Sequence, residues 1–548
     1  MNKKLLLIFL LIFGTLKAQN TVGTIAITDD VYEGLTLFTI NTKAYLIDNC
    51  GQLVNEWNSA YLPGNAVYLL PNGNLLRAGR LNDGSSNIGF GGQGGIVELF
   101  DWDGNLLWSY TYSTNQFRQH HDVFPLPNGN VLILAVSVVD NADAVQAGRN
   151  PALLSETDLF NEQILEIEPV GATGGNVVWE WNVIDHVVQD FDNTKDNFGV
   201  VADSPEKVDI NFLNGGDGGR NWLHVNSMQY DAALDQIIIS SRNLSEVWII
   251  DHSTTTAEAA TGSGGTYGRG GDLLYRWGNP EAYDQGTSAD RTLYGQHYPH
   301  FIESGLPNAG KLILFNNGFG RLPLFSQVDI ITPPTTSPGV YSYTPGTAYG
   351  PASTDFTYTD LSVDPSEFYS AIVSSAQQLP NGNILICEGR EGHFFEINPN
   401  DGNAIVWDYI NPVSNADGAF YEQTNPPPVA NITFRAIKFP LDYSAFDGRD
   451  LTPGAPLELN PDLTPCNSLS VEDFEIASVG LYPNPTSDIV TIESTVTIDR
   501  VEVYNMLGAK VAEVNHSNTI DLSSSNTGVY FLKIYSGNSS VSKKVIRR

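Results

Sequence analysis

Cysteine is scarce in this chain: Cys50, Cys387 and Cys466 are the three in 548 residues. An odd and widely spaced set builds no disulfide framework, though one pair can form. It also lacks the close spacing of a cysteine metal site. Basic residues are few, 28 Lys and Arg against 62 Asp and Glu, for a net charge of -34. That balance excludes nucleic acid and anionic membrane surfaces as partners. Beyond the N-terminus no apolar run is long enough for a membrane helix, so no transmembrane segment is expected in the mature protein. Long amphipathic helices are missing. So are HExxH and any Gly-rich phosphate loop ending in Lys-Ser/Thr, which argues against a zinc protease and against a nucleotide-dependent transferase. No cofactor and no metal are expected.

Turns and aromatic strands are what the chain has. It contains 51 Gly, 30 Pro, 25 Phe, 24 Tyr and 9 Trp, a composition of many turns and β-strands. Leu70-Pro71-Asn72-Gly73-Asn74, Leu126-Pro127-Asn128-Gly129-Asn130 and Leu379-Pro380-Asn381-Gly382-Asn383 are near-copies, and Leu306 to Gly310 is a degenerate one. Each precedes a short apolar run. Asn-Gly between apolar runs signals a hairpin in which both turn residues take positive φ. A second pattern accompanies the first: an apolar strand, a polar turn and a Trp strand, as in Ile96 to Trp108, Ile164 to Trp181 and Phe394 to Trp407. One unit loses the turn motif but keeps its place, with Met228-Gln229-Tyr230 leading to Ile237-Ile238-Ile239. The period is about 60 residues, the upper range for propeller blades. The fold class expected is therefore all-β: a six-bladed β-propeller over 20–445, its weak sixth blade borrowing an N-terminal strand to close the ring. A pair of β-sandwiches is the alternative, disfavoured by the long period.

The ends read as addresses. Met1-Asn2-Lys3-Lys4 and the apolar Leu5 to Phe13, with a cut near Ala18-Gln19, predict a signal peptide over 1–19. Pro-rich residues make 446–472 a linker. Over 473–548 alternating strands predict a small β-sandwich with a basic tail. Leu481-Tyr482-Pro483-Asn484-Pro485-Thr486, Val501 to Gly508, Gly528 to Ile534 and the terminal Lys543-Lys544-Val545-Ile546-Arg547-Arg548 resemble the type A C-terminal sorting domain of the type IX secretion system. The resemblance implies handling by that machinery and a secreted or cell-surface protein.

Five of the nine histidines open three successive units: His120 and His121, His224, then His297 and His300. Equivalent positions in successive blades converge on one rim or channel. His224 and Arg242 flank the hairpin between them. An Arg beside several His makes an anion site, because guanidinium is always charged and offers a planar fork of donors. It also lowers neighbouring imidazole pKa values and keeps a ring neutral and nucleophilic. Zinc is a rival ligand, but Arg242 would repel a metal and Asp122 is the lone nearby carboxylate. His186, His252 and His516 read as structural; His393, after a Gly-Arg-Glu-Gly turn, goes either way.

His120-His121-Asp122 with its Leu-Pro-Asn-Gly-Asn turn, Trp222-Leu223-His224-Val225-Asn226-Ser227, Ser241-Arg242-Asn243-Leu244-Ser245, Gly271 to Gly278 and Gly295-Gln296-His297 resemble the arylsulfate sulfotransferase family. The similarity runs from about 40 to 440. It implies an exported propeller that moves a sulfuryl group from a phenolic sulfate donor to a phenol acceptor through a sulfo-histidine. By motif, the nucleophile falls on His297. The supporting groups fall on His224, Arg242 and one of His120 or His121, the first giving the better spacing to His224. Two alternatives remain open: a non-catalytic surface propeller binding glycans or proteins, and an aryl sulfatase. Asp- and Asn-rich insertions over 138–162 and 183–221 are placed to cover the rim.

Overall fold

The computed structural model describes residues 20–548 except 155–157, 215–218, 361–366, 424–429, 468–478, 495–496, 507–508 and 537–538. The expected signal peptide therefore lies outside the described residues, as do parts of the linker and of both insertions. The chain is all-β, built of many antiparallel sheets. Its helices are short, the longest being Asn141–Gln146, and no described helix is long and apolar enough to cross a membrane.

The repeated turn works differently from the sequence expectation. Gly73, Gly129 and Gly382 are left-handed, with φ of 84°, 90° and 96°, while Asn72, Asn128 and Asn381 are not. Each Asn instead uses its side chain: Oδ1 accepts from the backbone N–H two residues on, at 3.0, 2.9 and 3.1 Å. This side-chain turn makes positive φ unnecessary at Asn. Backbone bonds from Leu to the last Asn, such as Leu126 N to Asn130 O at 2.9 Å, close each loop.

The turns pair strands into sheets of four in chain order: Leu62–Leu69 through Leu106–Thr111, Phe117–Pro125 through Gly174–Asn182, and Val225–Asp231 through Tyr275–Trp277. His297–Phe301 through Phe356–Tyr358 form the next, and Ser375–Gln378 through Ala404–Ile410 the last. Sheet closure corrects one expectation. The last sheet is not the deficient one: it has four strands of its own and takes Gly23–Ile27 as a fifth. The first sheet, Gly34–Ile40, Lys43–Ile47 and Leu53–Asn58, lacks a strand and receives Ala436–Pro440 from the far end of the sequence.

Tryptophans tie each sheet to another. Trp57 Nε1 donates to Asp101 O, Trp108 to Gly174 O, Trp181 to Gly271 O and Trp277 to Pro351 O. Trp407 of the last sheet donates to Asn49 O, beside the first. Buried apolar clusters fill the spaces between consecutive sheets, for example Leu132, Trp181, Met228 and Ile239.

The expected insertions are partly regular. Val131–Asp140 and Asp158–Val170 are long paired strands that run into the first of them. The second holds a short parallel pair, Val187–Val188 with Val208–Asp209. Cys387 is a buried free thiol. A separate compact unit, Cys466–Arg548, has two antiparallel sheets sharing a core that includes Val490, Val501, Leu532 and Ile534.

Candidate active site

Irregularities in the first strands of the sheets shape the site. Register slips in Leu62–Leu69, Phe117–Pro125, Val225–Asp231 and His297–Phe301. A non-glycine residue at or beside each slip is left-handed: Asn65, His121, His224 and Tyr298, with φ of 90°, 48°, 46° and 54°. Such a backbone costs roughly 1 kcal/mol or more per residue, and bulges of this kind re-aim side chains. Here they serve a cavity of about 470 Å³ lined by His121, His224, His297 and Arg242, together with Arg80, Asn41, Asn65, Phe434 and the apolar Leu62 and Ile372. Among the described residues no Asp or Glu lines it, in a chain carrying 62 of them.

The predicted group thus comes together, except that the pair His120-His121 divides. His121 lines the cavity; its ring centroid is 4.9 Å from that of His224. His120 does not line it and is fully buried behind His121. Spacing along the chain favoured His120, but the left-handed turn at His121 swings the second ring inward. Nδ1 of His120 lies 2.8 Å from Nδ1 of His121, and its Nε2 lies 2.9 Å from Glu162 Oε2. Glu162 Oε1 accepts from Val225 N at 2.9 Å. His300 does not line the cavity and bonds Tyr298 O.

His297 is held by Asn317. Its Nδ1 is 2.7 Å from Asn317 Oδ1, while Asn317 Nδ2 donates to Ser370 O and Val373 O at 2.7 and 2.9 Å. Two carbonyls on the amide nitrogen leave the oxygen facing the imidazole, so Nδ1 carries the hydrogen and Nε2 the lone pair. Asn221 Nδ2 is 2.7 Å from Nδ1 of His224, so the amide holds that ring by its Nδ1 edge.

Burial and then Arg242 lower the His297 pKa to about 3. Burial, followed by repulsion from surrounding cations and imidazoles, takes His121 and His224 well below their ordinary value. All three rings are neutral at pH 7. Arg242 makes no ion pair among the described residues; it bonds Asn243 Oδ1 and Ala371 O and lies 4.6 Å over the Phe319 ring. The field in the cavity is therefore positive.

Asp122, the carboxylate weighed as a metal ligand, is taken by Arg435 at 2.8 Å and by Tyr68 at 3.0 Å. His186 and His252 are held in place as expected, by Asp272 and Ala259 O and by Asp235 and Glu166. His393 joins them, caught between Glu388 and Asp408, which raise its pKa to about 9 despite burial. Sequence reasoning missed Glu162, Asn317, Arg80 and Arg435. A usable signal existed for two of them. Arg80, Arg242 and Asn317 all stand at or just past the end of the second strand of their sheets.

The family model for arylsulfotransferase (ASST) matches residues 27–422, and the chain belongs to that family. A model for the secretion system C-terminal sorting domain matches 480–548. That tail is a type IX address and marks the protein for the cell surface or secretion. A curated relative, ulvan lyase NLR42 of Nonlabens ulvanivorans, is 37% identical over 79 residues, 14% of this chain. The chain spans only 15% of that relative's length. Among solved structures, virginiamycin B lyase from Staphylococcus aureus is 10% identical, with 72% of this chain and 90% of that one covered and a TM-score of 0.32. A protein from Lactobacillus plantarum is 8% identical, with 74% and 99% covered and a TM-score of 0.34. Likeness at that level carries no argument.

Proposed function

We propose that the protein transfers a sulfuryl group from an aryl sulfate to a phenol through a sulfated His297. The observation that carries the reading is the meeting of three neutral imidazoles and the unpaired Arg242 guanidinium on a single cavity with no carboxylate among its described lining residues. Such a cavity suits a tetrahedral monoanion. It rests on a six-bladed propeller, the reading that best accounts for the sheet order and for the Trp407 bond back to Asn49 O. Domain limits follow suit: signal peptide 1–19, propeller 20–445, linker 446–472 and sorting domain 473–548.

His297 Nε2 attacks sulfur, a nitrogen–sulfur bond forms, and the bond from sulfur to the aryl oxygen breaks. Arg242 and the His224 ring hold the sulfuryl oxygens as charge shifts onto them. His121 manages the proton. The line from Glu162 through His120 to His121 carries the one proton that the step uses. His121 Nε2–H protonates the departing phenolate while the hydrogen between the two rings moves from His120 to His121. Neither ring nitrogen facing the other is left without its bond. The acceptor phenol then returns its proton to His121 Nε2, its oxygen attacks sulfur, and the bond to His297 breaks.

The test is mass spectrometry of the acid-quenched or base-quenched protein after addition of para-nitrophenyl sulfate without acceptor. One nitrophenol per chain and sulfate on His297 are expected, with turnover resuming when phenol is added. Turnover that ignores phenol makes the protein a sulfatase; no nitrophenol release leaves a binding module.

A further inference from the structure

The mechanism uses one guanidinium, and the cavity has two. We propose that Arg80 forms a second anion subsite, so that the preferred phenols carry an ionised acidic group on the ring side opposite the reacting oxygen. The proposal rests on the sulfuryl-transfer reading for its substrate class, not for the existence of the subsite.

Arg80 ends the strand Leu75–Arg80, and Arg242 follows Gln236–Ser241 by one residue. The two arginines thus occupy nearly the same place in two different sheets, and both line the cavity. Arg80 makes no ion pair, and its buried Nε has no hydrogen-bond partner, among the described residues. Around it the cavity wall is Leu62, Pro63 and Asn65, none of which neutralises it. Arg118 stands near enough for like-charge repulsion to help lower its pKa after burial, and its own donors are spent on Leu81 O, Ile88 O and Gly94 O. Two cations are thus held near each other in a protein of net charge -34. Arg80 is partly buried with its Nε enclosed; Asp83 offsets part of the charge at Arg118, whereas a partly desolvated cation without a partner of its own favours the arrival of an anion. The sulfuryl group carries a single negative charge and Arg242 answers it. A second anion on the same small molecule, a carboxylate above all, would answer Arg80 through its planar fork. The apolar Leu62, Ile372 and Phe434 offer surface to the ring that joins the two ends.

The experiment is calorimetric binding of para-hydroxyphenylacetate and of its amide to the whole protein, independent of turnover. The wild type should bind the carboxylate about 10- to 100-fold more tightly, the range of a charge-assisted pair, and added salt should narrow the gap. In Arg80→Gln the ratio should fall to near one; in Arg80→Lys part of it should survive, which separates lost charge from a damaged fold. Equal affinities in the wild type, or a preference that persists in Arg80→Gln, would overturn the subsite. Failure of para-nitrophenyl sulfate turnover with a carboxylate preference intact would overturn sulfuryl transfer instead and leave the subsite standing.

Discussion

Nδ1 of His120 sits 2.8 Å from Nδ1 of its chain neighbour His121. In a regular strand two successive side chains point to opposite faces. Here the left-handed backbone at His121 folds the second ring back onto the first. One hydrogen serves the two facing nitrogens, so the tautomers of the rings are coupled. Glu162 at the far end then bears on a proton that it never touches.

Glu162→Gln should therefore slow catalysis through His121 without disturbing the cavity. The expected loss in kcat approaches the lower end of general acid catalysis, about 10²-fold, with KM little changed. It should be larger for phenyl sulfate than for para-nitrophenyl sulfate, whose leaving group needs less protonation. Steady-state kinetics with both donors decides; an equal loss with each would show a merely structural role.

In the proposed mechanism the low pKa of His297, about 3, sets the acid side of the first half-reaction. An ordinary imidazole, near 6.5, is mostly protonated at pH 5 and cannot attack. His297 remains neutral there. The nitrophenol burst rate in stopped flow should hold nearly constant from pH 7 down to pH 5, whereas an ordinary nucleophilic histidine would lose about 30-fold. The same depression has a cost. The unfolded chain binds protons that the folded rings refuse, so these histidines contribute stability above about pH 6.5 that is lost progressively as pH falls toward 3.

Arg242 is the single cation assigned to the sulfuryl oxygens. Arg242→Gln should lower kcat/KM for aryl sulfates by about 10²- to 10³-fold, the scale of one lost oxyanion donor. Arg242→Lys should recover only part of it, since an ammonium lacks the planar fork. Full activity in the glutamine variant would remove Arg242 from the reaction.

Trp407→Phe removes the hydrogen bond to Asn49 O, 2.7 Å in the wild type, and leaves that carbonyl with the Thr24 hydroxyl at 3.1 Å. The expected cost is about 0.5–1.5 kcal/mol, visible as a lower melting temperature in a thermal scan. Sulfuryl transfer per folded molecule should be unchanged, because the indole is remote from the chemistry. Unaltered melting would mean that water replaces the indole.

The repeat was legible because turn chemistry is local. Leu-Pro-Asn-Gly-Asn places a glycine where the left-handed residue must be, and each copy opens an apolar strand. The all-β class and the family followed from those copies and from the motifs at His224, Arg242 and His297. The choice between His120 and His121, which the motif leaves open, turns on an equally local cause. Strand alternation predicts which neighbour faces inward only while the register is regular, and the bulge breaks it at that residue.

The amino-acid order by itself determined the all-β character, the family, the export address and four side chains of the cavity, because these reside in short motifs and their spacing. Tertiary structure alone decided which histidine lines the cavity, which strand completes the first sheet, and which partners the rings meet. Glu162, Asn317 and Arg80 reach the site from other strands and other sheets. Their roles depend on distances of about 3 Å across folded backbone, and no separation along the chain encodes those.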